Sequence, residues 1–206
     1  MSQSTLALAF ALCVLVPAGA GSPIVTAQRS TTEGDLQIAY DFECNARHQY
    51  LVYAVTADRE GFHRVACLFR ALARAEQVHA ERHAAVLREL GAGAESAVEP
   101  VVMRSTRSNL RSAIAEETYA RDAMYRLFAT QALQEECGSA AAVLLSTREA
   151  EGTHAALLRL ALEHLDAMRI AQAFYVCPGC GSVWAEPVLV RCPGCGTPAD
   201  RLERVI

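Results

Sequence analysis

The chain is expected to be an all-α four-helix bundle that ends in a small four-cysteine metal ribbon, and three observations lead there. Apolar stripes in steps of three and four residues recur along four long segments between residues 32 and 172, each segment bounded by Gly or Pro. Each stripe carries one glutamate where a bundle ordinarily has leucine: Glu43, Glu76, Glu117 and Glu151, two of which continue as Glu-x-x-His with His79 and His154. The chain then closes with two copies of Cys-Pro-Gly-Cys-Gly, giving Cys177, Cys180, Cys192 and Cys195.

The composition permits this reading and removes others. With 206 residues, 52% hydrophobic and 20% charged, the chain can bury roughly two thirds of its unfolded surface and is not a disordered polymer. Its net charge is −4 and it has no lysine, so no basic stripe is available to follow phosphates and nucleic acid is set aside. Cys13, Cys44, Cys67 and Cys137 stand singly, without ligand spacing, and read as small apolar fillers.

Residues 1–30 differ in kind from the rest. Leu6 to Val16 is an apolar run that Pro17 breaks, and Ala18-Gly19-Ala20 offers small residues for cleavage before Gly21. No cation precedes Arg29, which departs from the usual export signal. The segment is therefore either a cleaved leader, which places the protein in the periplasm or outside, or an N-terminal extension of a cytoplasmic protein. The run is too short for a stable membrane span.

The first helix is expected to open at Thr32 and run to Gly61, with Leu36, Ala39, Glu43, Ala46, Tyr50, Tyr53 and Ala57 on one stripe. A second, from about Phe62 to Leu90, carries Val65, Phe69, Leu72, Glu76, His79, His83, Val86 and Leu90, and Gly91-Ala92-Gly93 ends it. Residues 91–106, with Pro100, form the one long crossover. Ser108-Asn109 opens a third helix carrying Leu110, Ala113, Glu117, Ala120, Met124, Leu127 and Gln131, closed at Cys137-Gly138. The fourth is expected from about Ser139 to Gln172, with Leu144, Thr147, Glu151, His154, Leu158, Ala161, Leu165 and Met168 together. The resulting organisation is an extension over 1–30, a bundle over 31–172 and a ribbon over 173–206.

Four carboxylates and two imidazoles facing one apolar interior are too costly to bury unless cations neutralise them. Two divalent ions cancel four carboxylates, and the i to i+3 spacing sets each Glu and His on one helical face, so Glu43, Glu76, His79, Glu117, Glu151 and His154 read as a two-iron ligand set. His83, one turn beyond His79, reads as a neighbour of that set or a satisfied core histidine; Glu81, Glu116 and Glu149 read as surface charges. The paired knuckles hold four thiolates around one ion in a segment too small for its own core, and iron and zinc both suit them.

On these residues the chain resembles the rubrerythrin family, a ferritin-like di-iron domain fused to a rubredoxin-like domain. The segments that carry the resemblance are Glu43 through Tyr50, Ala75 through Ala80, Ala113 through Tyr119, and Ala150 through His154, together with both knuckles. The resemblance implies a ferritin-like fold and a peroxidase-type oxidoreductase acting on hydrogen peroxide. It implies electrons relayed from the four-cysteine iron to the pair, often across a head-to-tail homodimer, with Tyr50 and Tyr125 beside the metals. A reductase or rubredoxin is the kind of redox protein expected as donor. Family members usually carry a further glutamate at the position of Ala120, and its loss points to a more symmetric six-ligand site that could instead use dioxygen as an oxidase or ferroxidase. A non-catalytic protein with a structural zinc ribbon is the remaining alternative.

Overall fold

A computed structural model describes residues 31–206. The expectation for the N-terminal extension lies outside the described residues. Helix α1, Thr32–Arg59, starts where Thr31 Oγ1 accepts the Gly34 amide at 3.1 Å, and acidic Glu33 and Asp35 occupy its first turn, where the helix dipole favours negative charge. Helix α2, His63–Glu89, returns antiparallel after a tight turn at Gly61, whose φ of 77° suits glycine. The crossover of residues 91–105 lies along α1, held by Asp41 and Asn45. Asp41 accepts from Ser96 at 2.7 Å, and Asn45 accepts from the Glu99 amide at 2.9 Å.

The third rod is not one α-helix. It comprises α3, Thr106–Tyr119, capped by Ser105; a π-helical segment over Ala120–Met124, in which the Tyr125 amide reaches back to the Ala120 carbonyl; and α4, Tyr125–Gln134. A π turn inserts one residue and rotates everything after it by roughly 100°. The expected stripe fails there: Leu127 is 56% exposed, while Tyr125, Ala129 and Ala132 face the core instead. The insertion is what brings Tyr125 inward.

Helix α5, Gly138–Glu163, is shorter than expected. Beyond it the chain turns through a 3-10 stretch at Leu165–Ala167, and the Met168 carbonyl accepts the Arg64 amide at 3.1 Å, satisfying an otherwise orphan first-turn donor of α2. Leu165 and Met168 are still buried as expected, although they lie beyond the end of α5.

The four rods bury two apolar clusters. One gathers Tyr50, Phe69, Leu72 and Leu158; the other gathers Leu36, Val86, Met124 and Leu144. Along α2 the buried run Glu76, His79 and His83 falls between the parts of the helix that enter the two clusters, so a polar layer crosses the bundle at mid-height. The expectation of a four-helix bundle with a small ribbon holds.

The ribbon is a three-stranded antiparallel sheet in the order β2-β1-β3, with β1 at Phe174–Val176, β2 at Val183–Trp184 and β3 at Glu203–Val205. Tyr175 pairs with Trp184 on one side and with Arg204 on the other. Phe174 and Val183 join the bundle's apolar cluster, and Arg74 of α2 grips Glu203 through two hydrogen bonds of 2.6 and 2.8 Å. Among the described residues no helix is long and apolar enough to cross a membrane.

Leu68 is 1% exposed within the first cluster. Leu68→Ala is expected to lower unfolding stability by about 2–5 kcal/mol, the range for truncating a buried leucine, as read from urea unfolding with metals held in excess.

Candidate metal centre

All six expected bundle donors lie inward and are at most 4% exposed. They form two groups that share members: Glu43, Glu76, His79 and Glu151 in one, and Glu76, Glu117, Glu151 and His154 in the other, with the donor atoms of each within 4.8 Å of one another. Glu76 and Glu151 belong to both and can bridge two ions, whereas Glu43 with His79 and Glu117 with His154 close the two ends. His79 Nδ1 stands 2.8 Å from Glu76 and 3.2 Å from Glu151; His154 Nδ1 stands 3.1 Å from Glu151 and 3.3 Å from Glu76. The two imidazole rings stack at 5.6 Å.

The arrangement passes a direct test of fit to cations. Glu43 Oε2, Glu76 Oε1 and Glu151 Oε1 are buried and accept no hydrogen bond among the described residues. Buried carboxylate oxygens without donors are costly in an apolar interior, and electropositive ions among them remove the cost. The outer oxygens are accounted for: Tyr50 donates to Glu117 and Tyr125 donates to Glu43. Both expected tyrosines thus hold a terminal carboxylate, one in each group.

As protein groups alone, the cluster balances its charge by sharing protons. Burial, reinforced by Glu151 and Glu76, raises Glu43 and Glu117 well above the usual carboxylate range. Burial alone would raise Glu76 and Glu151 too, but the imidazoles and neighbouring hydrogen bonds overcome it and hold both low. His79 would be lowered by burial, yet Glu151 and Glu76 push it up to about 8; burial would lower His154 too, but Glu76 and Glu117 raise it well above the usual imidazole range. Two dications would take the place of these protons.

His83 is fully buried with its ring stacked on Tyr125, and burial, aided by His79, lowers it to about 3. It belongs to neither donor group among the described residues. Glu116, read from the sequence as a surface charge, is half-buried in a cleft beside the crossover and accepts from Gln49, and burial raises it. Glu81 and Glu149 are exposed as expected. Ala120, the first residue of the π segment, is fully buried and offers no donor.

In the ribbon, Cys177, Cys180, Cys192 and Cys195 come together in two matched turns. Gly181 N bonds the Cys177 carbonyl at 2.9 Å and Gly196 N bonds that of Cys192 at 2.8 Å, with both glycines at positive φ. The sulfurs of Cys177 and Cys195 lie 3.4 Å apart and those of Cys180 and Cys192 3.6 Å, close to the edge of about 3.8 Å in a tetrahedron of 2.3 Å metal–sulfur bonds. Hydrogen bonds from Cys180 and Thr197 and the Gly179 amide draw the Cys177 thiol down to about 4. The hydroxyls of Ser182 and Thr197 meet Cys180 and Cys195 at 3.2 and 3.1 Å. This pairing was visible in the sequence as a hydroxyl two residues after the second cysteine of each knuckle.

No sequence spacing announced how the ribbon meets the bundle. His79 Nε2 faces the Cys180 carbonyl at 3.0 Å, and His154 Nε2 faces the Gly181 carbonyl at 3.0 Å. These contacts keep a proton on Nε2, so Nδ1, which faces the carboxylates, is the nitrogen that would bind a metal once it loses its own proton. Gly181 is required there, because a side-chain carbon would overlap the His79 ring.

Two outcomes are expected. Affinity for a divalent ion, followed with Co(II) by spectroscopic titration, should fall about tenfold per pH unit for each proton displaced as pH drops below 8, because His79 and His154 must lose protons to bind; a flat profile would show that no imidazolium is displaced. Gly181→Ala should remove both carbonyl contacts and weaken docking by about 1–3 kcal/mol, visible as faster hydrogen exchange in the first knuckle.

Comparison with known proteins agrees with this geometry. The Rubrerythrin family model matches residues 35–162. Rubrerythrin-2 of Clostridium acetobutylicum is 30% identical over 185 residues, covering 87% of this chain and 99% of that one. Nigerythrin of Nitratidesulfovibrio vulgaris is 32% identical over 176 residues, covering 85% and 86%. A solved structure of nigerythrin in a mixed-valence state superposes with a TM-score of 0.80 at 27% identity, covering 93% of this chain and 100% of that chain. The bacterioferritin of Desulfovibrio desulfuricans shares the fold at a TM-score of 0.62 and 21% identity, over 67% of this chain and 81% of its own. With its paired carboxylate–histidine groups and its four-cysteine ribbon, the chain belongs to the rubrerythrin family.

Proposed function

We propose that the chain is a non-haem di-iron oxidoreductase that reduces hydrogen peroxide to water, with electrons passing from an iron held by Cys177, Cys180, Cys192 and Cys195. The observation that carries the reading is the set of buried, donor-free carboxylate oxygens on Glu43, Glu76 and Glu151, closed at both ends by histidine. Glu43, Glu76, His79, Glu117, Glu151 and His154 would hold two irons, and family membership favours iron over other divalent ions. The pair supplies two electrons at one place, the number needed to split one peroxide O–O bond when two protons are also consumed.

The chain's own groups fix the setting for that chemistry. Glu76 and Glu151 tie the two positions together, while Tyr50 and Tyr125 restrict the swing of Glu117 and Glu43. The apolar clusters on either side keep bulk water out, which strengthens every charge interaction inside. The Cys180 and Gly181 carbonyls give the ribbon hydrogen-bonded contact with both histidines, a short route for electrons within one chain. A redox protein, such as a reductase or a rubredoxin, would deliver electrons at the ribbon's outer edge, where Cys195 is exposed.

Ala120 favours a second reading. Without a donor at that buried position the set has six ligands arranged alike at its two ends, which suits a dioxygen-using oxidase or ferroxidase. Rapid mixing separates the two. Anaerobically reduced protein should reoxidise stoichiometrically and faster with hydrogen peroxide than with dioxygen, and the reverse order would move the function to an oxidase. A red protein with visible charge-transfer bands is expected from iron in the ribbon, whereas a colourless one would make the ribbon a zinc structure.

A further inference from the structure

The two ends of the centre are built on matched ring pairs that differ in one respect. At one end Tyr50 donates to Glu117 and stacks on Phe69 at 5.8 Å and 20°. At the other, Tyr125 donates to Glu43 and stacks on His83 at 5.8 Å and 24°. Phe69 and His83 both come from α2, and each backs the tyrosine of its own end. Phe69 offers only a hydrocarbon face, but His83 Nε2 lies 3.2 Å from the Tyr125 oxygen.

The direction of that contact follows from donor accounting. A carboxylate on a metal only accepts, so the Tyr125 proton is committed to Glu43, and the phenol oxygen has lone pairs to spare. His83 must then present Nε2–H to Tyr125, with a bare Nδ1. His83 Nδ1 is buried with no hydrogen-bond partner among the described residues, so no acceptor there competes for the ring proton. A phenol that accepts a hydrogen bond donates a stronger one, by cooperative polarisation. Glu43 therefore gives up more electron density than Glu117 does, and a less electron-rich carboxylate favours the ferrous state of its iron over the ferric one.

Resting on the di-iron reading above, we propose that His83 is a positioning residue that acts through Tyr125 on Glu43 and makes the iron at the Glu43–His79 end the more easily reduced of the two. The six ligands are alike at both ends; the difference lies in the ring behind each tyrosine. The same end carries His79, whose Nε2 meets the carbonyl of Cys180, itself one of the ribbon thiolates. The ribbon contact at this end is made by a thiolate-bearing residue itself, whereas His154 at the other end meets the neighbouring Gly181 carbonyl.

The test is to make the ends alike. His83→Phe copies the Tyr50–Phe69 pair, and His83→Gln keeps an N–H donor. Iron analysis comes first: two irons per chain in the carboxylate cluster are expected in all three proteins, and their absence from the wild type would overturn the di-iron reading together with this inference. Stepwise dithionite reduction followed by electron paramagnetic resonance then measures how much one-electron-reduced pair accumulates. The comproportionation constant should fall roughly twofold to tenfold in His83→Phe, the range commanded by one buried hydrogen bond, and recover in His83→Gln. An unchanged constant in His83→Phe would overturn the proposal. A readout that does not depend on either variant folding is the nitrogen spectrum of His83 in zinc-loaded, diamagnetic wild type: Nε2–H with bare Nδ1 supports the inference, and the opposite tautomer refutes it.

Discussion

Four glutamates held within one hydrocarbon interior set the terms for everything else in this molecule. Each of the four rods gives up a leucine position to a carboxylate, and among the described residues three of the resulting oxygens have no hydrogen-bond donor. A bundle of this size has only a few kcal/mol to spare, so the layer must be neutralised by protons or by cations. The protein groups alone lean toward the first solution: burial drives Glu43 and Glu117 upward, the imidazoles hold Glu76 and Glu151 low, and the carboxylates drive both imidazoles upward. Two dications are the second, and they replace protons with charges that can change valence.

Much of this was legible in the sequence because its signals are periodic. Glu43, Glu76, Glu117 and Glu151 fall on apolar stripes, and helical geometry alone then requires them to face inward. The Glu-x-x-His spacing and the doubled knuckle were equally readable, since both are local. What escaped was nonlocal or broke the period. The π segment at Ala120–Met124 carries no glycine or proline to announce it, yet it turns Leu127 outward and Tyr125 inward. Tyr125 was found only through family resemblance; the uninterrupted stripe would have put Leu127 in the core.

The end of α5 and the burial of Glu116 were missed for the same kind of reason. Helix propensity continues past Glu163, but the bundle needs the Met168 carbonyl at the start of α2 and the apolar side chains beneath it. Glu116 looked like a surface charge because it lies beside the apolar stripe rather than on it, and the crossover that shares its cleft belongs to a separate segment. Tertiary demands of this sort leave no trace in a window of ten or fifteen residues.

The first knuckle rests on His79 and His154 of its own polypeptide, with Gly181 allowing the approach. Two sites joined by one covalent chain meet at an effective concentration set by geometry rather than by abundance. A contact built this way is indifferent to dilution. Scarcity of the protein in a cell would limit how often any partner finds it, and would leave the apposition of its two centres untouched.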